Sequence, residues 1–262
     1  MNIGFIGCGN MATAIIKGIT SKDSTNAIYA YDCYEPALDS AVKNYSVKKV
    51  ISEAEVVKKS DIIFLAIKPN NLADVLGKIS PIISYDKMLI SICAGKTLEY
   101  IAENLGKDCK TVRVMPNINA KVGEAISAYC FNELVTPDDC KDVESLLDCI
   151  GKFISLDEKY FPVFGVIGGC APAFSYMFID ELARAGVKNG LKKDEALRIA
   201  AQTVYGSAKM ILESDEHPYK LIDNVCSPGG TTIEGVLSLQ KDGFDKAIHN
   251  AVQASVDKDS KL

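Results

Sequence analysis

Two short stretches hold residue types and spacings from which a chemical site can be built. The first, Gly7-Cys8-Gly9-Asn10-Met11-Ala12, follows the apolar run Ile3 to Ile6 and reads G-x-G-x-x-A. In that spacing the first glycine makes a tight turn, the second lets the backbone approach a pyrophosphate, and the small third residue lets a helix close on the strand. Free amides and the dipole at the start of the following helix favour an anion there. A strand-to-helix turn with no ligand would use the same glycines. The flanking strand, the helix with Met11, Ala14, Ile15 and Ile19 on one face, and an acidic residue after the second apolar run favour a dinucleotide. Gly7, Cys8, Gly9, Asn10 and Met11 are the cofactor-binding residues expected from this stretch.

The acidic residue is Asp32, at the end of the run Ile28 to Tyr31. A carboxylate there accepts hydrogen bonds from ribose hydroxyls and repels a 2′-phosphate, which leans the reading towards NADH. Its other use is to cap the following loop or the helix beginning at Pro36, so the cofactor expected is NADPH or NADH. Ala66-Ile67-Lys68-Pro69-Asn70 ends the run Ile62 to Ile67, where a doubly wound sheet presents ligands at the carboxyl ends of its strands. Ala66, Lys68 and Pro69 join the cofactor set on that ground. The alternative is a solvated lysine before a helix that Pro69 and Asn70 start.

The second stretch, Asp223 to Glu234, reads DNVCSPGGTTIE and interrupts a series of amphipathic helices. Thr231-Thr232-Ile233-Glu234 has capping-box spacing, with Thr231 as the expected cap. Gly229 and Gly230 in front of a helix start make a pocket of free amides suited to a carboxylate. A plain turn followed by a capped helix is the other reading.

The elements that must position these residues fall into two halves. Up to about residue 157, Ile3 to Ile6, Ile28 to Tyr31, Ile62 to Ile67 and Met88 to Ile92 read as buried strands separated by helices, the rhythm of a parallel sheet. Val112 to Met115, Ile126 to Cys130 and Phe153 to Leu156 follow as later strands, with Gly151 ending the helix before the last of them. Ser52-Glu53-Ala54-Glu55 and Thr136-Pro137-Asp138-Asp139 are helix starts. Beyond that, Pro172 to Gly190, Asp194 to Ser214, Pro218 to Val225, Thr231 to Lys241 and Phe244 to Lys258 all read as helices. The expected fold is α/β, a Rossmann-like dinucleotide-binding domain over 1–158 followed by an all-helical domain over 159–262.

Composition narrows the function classes. The 262 residues are 48% hydrophobic and 24% charged with a net charge of −5, an ordered globular make-up that argues against the basic face nucleic acid requires. No leader is recognisable and no apolar run reaches the ~18 residues a membrane span needs, so a cytoplasmic protein with no membrane partner is expected. The nine cysteines form no C-x-x-C pair and read as reduced thiols. Only two histidines, His217 and His249, are present, and no metal is predicted. His217, before Pro218, reads as a turn residue.

Over nearly the whole chain the sequence resembles bacterial pyrroline-5-carboxylate reductases, through IGFIGCGNMA, AIKPNN, VRVMPN, VGEA and above all GSAKMILES followed by EHPYKLIDNVCSPGGTTIE. The resemblance implies hydride transfer from NAD(P)H to the C=N carbon of 1-pyrroline-5-carboxylate, giving L-proline. It also implies a dimer or higher homo-oligomer built through the helical half, which becomes a dimerisation domain. Backbone amides about Gly229, Gly230 and Thr231, with Ser227, would hold the substrate carboxylate, and the Thr232 hydroxyl, the catalytic residue the resemblance assigns, would reach the ring nitrogen. Asn117 remains as a cofactor contact, with contact to the substrate as the alternative. The chain departs from the family where Ser-Gly-Ser-Gly-Pro-Ala-Tyr is common, having Gly168-Gly169-Cys170-Ala171-Pro172-Ala173-Phe174. It departs again where Met-Pro-Asn-Thr-Pro is common, having Met115-Pro116-Asn117-Ile118-Asn119. A related imine reductase is a further reading. A β-hydroxyacid dehydrogenase would want a lysine and an asparagine four apart early in the helical half, and Lys246 and Asn250 lie in the last helix. A catalytically silent nucleotide-binding regulator is the alternative from another class.

Overall fold

The structure is a computed structural model and describes residues 1–23 and 25–259. The chain divides into two compact units, Met1–Gly169 and one that begins at Cys170. The first is built on a single eight-stranded sheet. Its strands are β1 Asn2–Ile6, β2 Ala27–Tyr31, β3 Lys48–Lys49, β4 Ile62–Leu65, β5 Met88–Ser91, β6 Lys110–Met115, β7 Ala125–Phe131 and β8 Gly151–Ser155, in the order β3-β2-β1-β4-β5-β6-β7-β8. The helices between them are α1 Asn10–Lys22, α2 Glu35–Tyr45, α3 Glu53–Lys59, α4 Leu72–Ile79, α5 Leu98–Leu105 and α6 Pro137–Asp148.

The apolar patterns explain the layers. β4 and β5 are buried at every position, as central parallel strands covered on both faces must be. On one face Ile15, Ile16 and Ile19 of α1, Leu38 of α2 and Leu146 and Leu147 of α6 pack with Phe64 and Ile90. On the other, Val56 and Val57 of α3, Leu72 and Leu76 of α4 and Ile101 of α5 pack with Ile63 and Leu89. The Phe5 and Phe64 rings stack across β1 and β4 with centroids 4.7 Å apart. Switching of helices from one face to the other between β1 and β4 creates the crevice in which doubly wound sheets bind ligands.

Several expectations need correction. The sheet is not parallel throughout: β6 and β7 pair antiparallel, Met115 opposite Ala128, while β8 is parallel to β7. The connection from β6 to β7 holds only a 3-10 turn, Ile118–Val122, too short for the crossover a parallel partner requires. β3 went unpredicted because two lysines on a sheet edge show no apolar alternation. Gly151 does not end a helix. α6 stops at Asp148, and Gly151 is the first residue of β8 at φ +147°, where a Cβ would lie 2.2 Å from the Ala125 carbonyl oxygen. The Thr136 capping box forms in full. At Ser52 only half of one forms: the hydroxyl accepts from the Glu55 amide, while the Glu55 carboxylate turns to the Ile51 amide at 2.9 Å.

After β8 the chain stays helical from Glu158 to Lys188, through a 3-10 turn, the short α7 Phe161–Phe164, a π-helical segment Gly165–Cys170 and α8 Ala171–Lys188. This run is long and apolar enough, by length and composition, to cross a membrane. The expectation that no such run exists counted unbroken apolar residues and overlooked how few charges dilute this stretch.

The second unit consists of α8, α9 Lys193–Glu213, α10 Pro218–Val225, α11 Thr231–Lys241 and α12 Phe244–Asp259. α8 meets α9 through small residues, with Ala183, Ala196 and Ala200 buried beside Ile179. Asp180 ties the pair together by binding both Arg184 and Lys193. The longer apolar side chains expected on the core faces, among them Phe178, Leu182, Leu197 and Ile211, are exposed in the single chain.

Candidate functional site

The Gly-rich turn joins β1 to α1 at the carboxyl edge of the sheet. Gly7 has φ +101° and sits so close to the next crossing that a Cβ there would lie 2.4 Å from the Ala66 carbonyl oxygen. Its amide donates to the Tyr31 carbonyl at 2.8 Å, so the turn is fixed to β2 as well as to the end of β4. Gly9 plays a different part. It is the N-cap of α1, with no side chain capping the helix and no acidic residue in the first turn, and a Cβ there would meet no atom within 4 Å. The helix start is therefore an open, uncompensated patch of amides flanked by the exposed Asn10, which is what an incoming pyrophosphate requires.

Asp32 follows β2 directly, and its carboxylate serves the second of the uses the sequence allowed, tying down the loop and the start of the next helix. One oxygen accepts from the Cys8 amide at 2.6 Å and the other from the Tyr34 amide at 2.8 Å, linking the Gly-rich turn to the start of α2. The Cys8 thiol is 2% exposed, and burial, reinforced by the charge of Asp32, pushes its pKa up to about 12. Cys8 thus gives its backbone amide to Asp32, while its thiol belongs to the core.

Ala66, Lys68 and Pro69 lie at the end of β4 beside this turn. The Ala66 amide continues the β1 ladder by donating to Ile6 at 2.9 Å. Lys68 is the extended, exposed residue before a 3-10 turn at Pro69–Asn71, on the same sheet edge as the Gly-rich turn. Sequence reasoning missed Cys93, just past β5, whose buried Sγ lies 3.5 Å from the Leu65 carbonyl and 3.4 Å from that of Ile67. It steadies the backbone on which Lys68 is carried, and its position after a strand was the one signal available.

Asn117 is 5% exposed and spends its amide on the protein. Its oxygen accepts from the Asn119 amide at 3.2 Å, and its nitrogen donates to the Gly168 carbonyl at 2.9 Å, bracing the turn after β6 against the π-helical segment. A Cβ at Gly168 would approach the Phe164 ring to 2.9 Å, so a larger residue there would have to displace that ring. A second brace was also missed. Arg113, 6% exposed on β6, donates to Glu158 at 2.8 Å and lies over the Phe161 ring, and the same carboxylate oxygen accepts from the Leu98 amide at 2.9 Å. A lone arginine inside the apolar run Val112 to Met115 was the signal for it.

In the second unit, Ser227 to Gly230 form a turn closed by the Gly230 amide donating to the Ser227 carbonyl at 3.0 Å. Pro228 suits the second position and Gly229, at φ +67°, the third. The N-cap of α11 is Gly230 and not Thr231, which is already helical and does not cap. The turn makes Gly230 the last extended residue, and a Cβ there would lie 2.3 Å from Ser227 Oγ, so a side chain at that place would have to turn the Ser227 hydroxyl aside. The first amides of α11 are left free of side-chain caps, and Thr231 and Thr232 are exposed beside them. The arrangement fits a small carboxylate. His217 caps α10, its Nδ1 accepting from the Tyr219 amide at 3.3 Å.

A curated pyrroline-5-carboxylate reductase of Escherichia coli strain K12 is 40% identical to this chain over 263 residues, covering 99% of the chain and 97% of the relative. The chain belongs to the pyrroline-5-carboxylate reductase family. The soybean (Glycine max) member is 36% identical over 262 residues, covering 99% of the chain and 95% of the relative. A family model described as pyrroline-5-carboxylate reductase dimerisation matches residues 158–262, and one described as NADP oxidoreductase coenzyme F420-dependent matches residues 2–95. Among solved structures, the Plasmodium falciparum pyrroline carboxylate reductase with NADP bound superposes with a TM-score of 0.87 at 35% identity, over 99% of this chain and 97% of that one. The 1-pyrroline-5-carboxylate reductase of Streptococcus pyogenes gives 0.88 at 35% identity, over 100% and 99%. The family's two-part architecture, a Rossmann-like domain and a helical dimerisation domain, is that of this chain.

Proposed function

We propose that this chain catalyses NAD(P)H-dependent reduction of the C=N bond of 1-pyrroline-5-carboxylate to L-proline, the last step of proline biosynthesis. The observation that carries the reading is the turn Ser227 to Gly230 at the uncapped start of α11, joined in one chain to an open Gly-rich helix start at the end of β1. Gly7, Cys8, Gly9, Asn10, Met11, Asp32, Ala66, Lys68 and Pro69 would hold the dinucleotide, with Asn117 shaping the neighbouring turn. When bound, the reduced nicotinamide supplies a hydride to an electrophilic carbon.

The chain's own residues then have modest tasks. Amides about Gly229, Gly230 and Thr231 hold the substrate carboxylate, and Ser227 sets the turn that frees them. Thr232 hydrogen-bonds to the ring nitrogen of the protonated imine, whose C=N π pair moves onto nitrogen as the carbon takes the hydride. The secondary amine forms with no further proton, so orientation and this one contact supply most of the assistance. No histidine acid is required. The exposed apolar residues of α8 and α9 are assigned to a second copy of the chain in a homodimer or larger assembly, not to a membrane, and the protein to the cytoplasm. The net charge of −5 argues against a nucleic-acid partner.

The test is loss of NAD(P)H absorbance with each cofactor across a panel of cyclic imino acids. Substrate-dependent oxidation, greatest with 1-pyrroline-5-carboxylate, is the expected result. A folded, nucleotide-binding sample that oxidises neither cofactor with any imine would refute the proposal and point to a silent binding protein.

A further inference from the structure

The carboxyl end of β2 carries an excess of negative charge built into the backbone connections. Asp32 is held there by the Cys8 and Tyr34 amides, so its carboxylate cannot swing away from the Gly-rich turn without giving up both bonds. Glu35 opens α2 just beyond it. Lys49, on the adjoining β3, is engaged by Glu35 at 2.8 Å and by Asp39 at 2.9 Å, two carboxylates to one ammonium. Lys48 and Lys59 lie over the Tyr29 ring, further back along β2, and Lys59 also pairs with Glu55 at 2.6 Å. Among these groups the carboxylates of Asp32, Glu35, Asp39 and Glu55 outnumber the ammonium groups of Lys48, Lys49 and Lys59, so no net positive charge is left to receive a 2′-phosphate.

A ribose with free hydroxyls finds acceptors at such a strand end, whereas a 2′-phosphate finds repulsion. A phosphate brought within about 5 Å of one carboxylate loses roughly tenfold in affinity even at the dielectric of water, and the acceptor function of that carboxylate is lost as well. We infer that this chain selects NADH over NADPH, with Asp32 as the specificity-determining residue and Glu35 reinforcing it by occupying Lys49. This deepens the proposed function and rests on it only for the existence of the nucleotide site. It also sets the chain apart from the Plasmodium falciparum relative, whose structure holds NADP.

The experiment is titration of the full chain with NADH and with NADPH, followed by nicotinamide fluorescence, for the natural protein, Asp32→Asn and Glu35→Gln, with steady-state kinetics alongside. Asp32→Asn keeps an oxygen for the Cys8 amide, and Glu35→Gln leaves the Gly-rich turn untouched, so failure of one to fold does not remove the test. The natural protein is expected to bind NADH at least about tenfold more tightly. Asp32→Asn should narrow the ratio by about tenfold and Glu35→Gln by a smaller factor, with the narrowing greater at low salt. Tighter binding of NADPH by the natural protein, or an unchanged ratio in folded variants of both residues, overturns the inference. Binding of neither nucleotide overturns it together with the proposed function. NADH selectivity without imine reduction leaves it standing and removes only the substrate reading.

Discussion

Gly7 and Gly9 stand two residues apart in one loop, yet their alanine variants should fail in different ways. At Gly7 an alanine would have to adopt φ +101° with its Cβ 2.4 Å from the Ala66 carbonyl oxygen and 2.8 Å from the carbonyl carbon. Left-handed backbone costs about 1–2 kcal/mol in a non-glycine residue, and overpacking against backbone that cannot rotate away adds about 1–3 kcal/mol. A total near 3 kcal/mol corresponds to a fall of about 6–12 °C in the melting temperature of a unit this size. At Gly9, φ is −69° with open space around the built Cβ, so alanine should cost no more than about 1 kcal/mol of capping, a shift of a few degrees. That open space is where a pyrophosphate must approach. Gly9→Ala should therefore lose most nucleotide affinity while staying folded, and Gly7→Ala should lose stability and affinity together. Thermal melting by circular dichroism and nucleotide titration on the same samples make the check. A Gly9→Ala variant that binds nucleotide as the natural protein does, or a Gly7→Ala variant that melts within about 2 °C of it, would refute the assignment of the two roles.

Three further outcomes are expected. Glu158→Gln keeps an acceptor for the Leu98 amide but leaves the buried Arg113 without its counter-charge, so urea denaturation should show a loss of about 3 kcal/mol, partly recovered in Arg113→Met/Glu158→Gln; a loss under about 0.5 kcal/mol in the single variant would contradict the brace. Thr232→Ala should lower turnover about tenfold to a hundredfold with nucleotide affinity nearly unchanged, read by steady-state kinetics and titration, and natural turnover in that variant would remove Thr232 from the mechanism. Burial holds the thiols of Cys8 and Cys130 up at about 12 and that of Cys109 at about 11. Above the ordinary value of 9.0 the unfolded chain releases these protons first, so stability should fall as pH rises from about 9 towards 12, and a flat denaturation midpoint over that window would count against the burial of these groups.

Much of this was legible because it is local. The buried runs of β1, β2, β4 and β5, the proline and acidic start of α6, and the bounds of α10 and α11 depend on neighbours a few residues apart. So does the Gly-rich turn, whose spacing alone predicts a tight backbone before a helix start. β3 was illegible because its pairing owes nothing to side-chain pattern, and Thr231 was misplaced by one position because capping-box spacing does not reveal which residue the preceding turn leaves extended. The apolar stripes of α8 and α9 were visible as stripes, but their exposure in one chain was not, since period shows that a face wants burial without showing what buries it.

The sequence by itself determined that a dinucleotide turn opens the chain, that a sheet gives way to helices, and that a glycine turn interrupts those helices before two threonines. Each is a matter of dihedral freedom and periodicity along a short stretch. Tertiary structure alone decided that β7 runs against β6, that Gly151 belongs to a strand pressed on Ala125, and that Asp32 grips the Cys8 amide 24 residues away. It alone decided that Asn117 braces Gly168 across 51 residues and that Arg113 finds Glu158 across 45. These pairings are set by which strands become neighbours, and burial of the whole apolar surface, not any local preference, selects them.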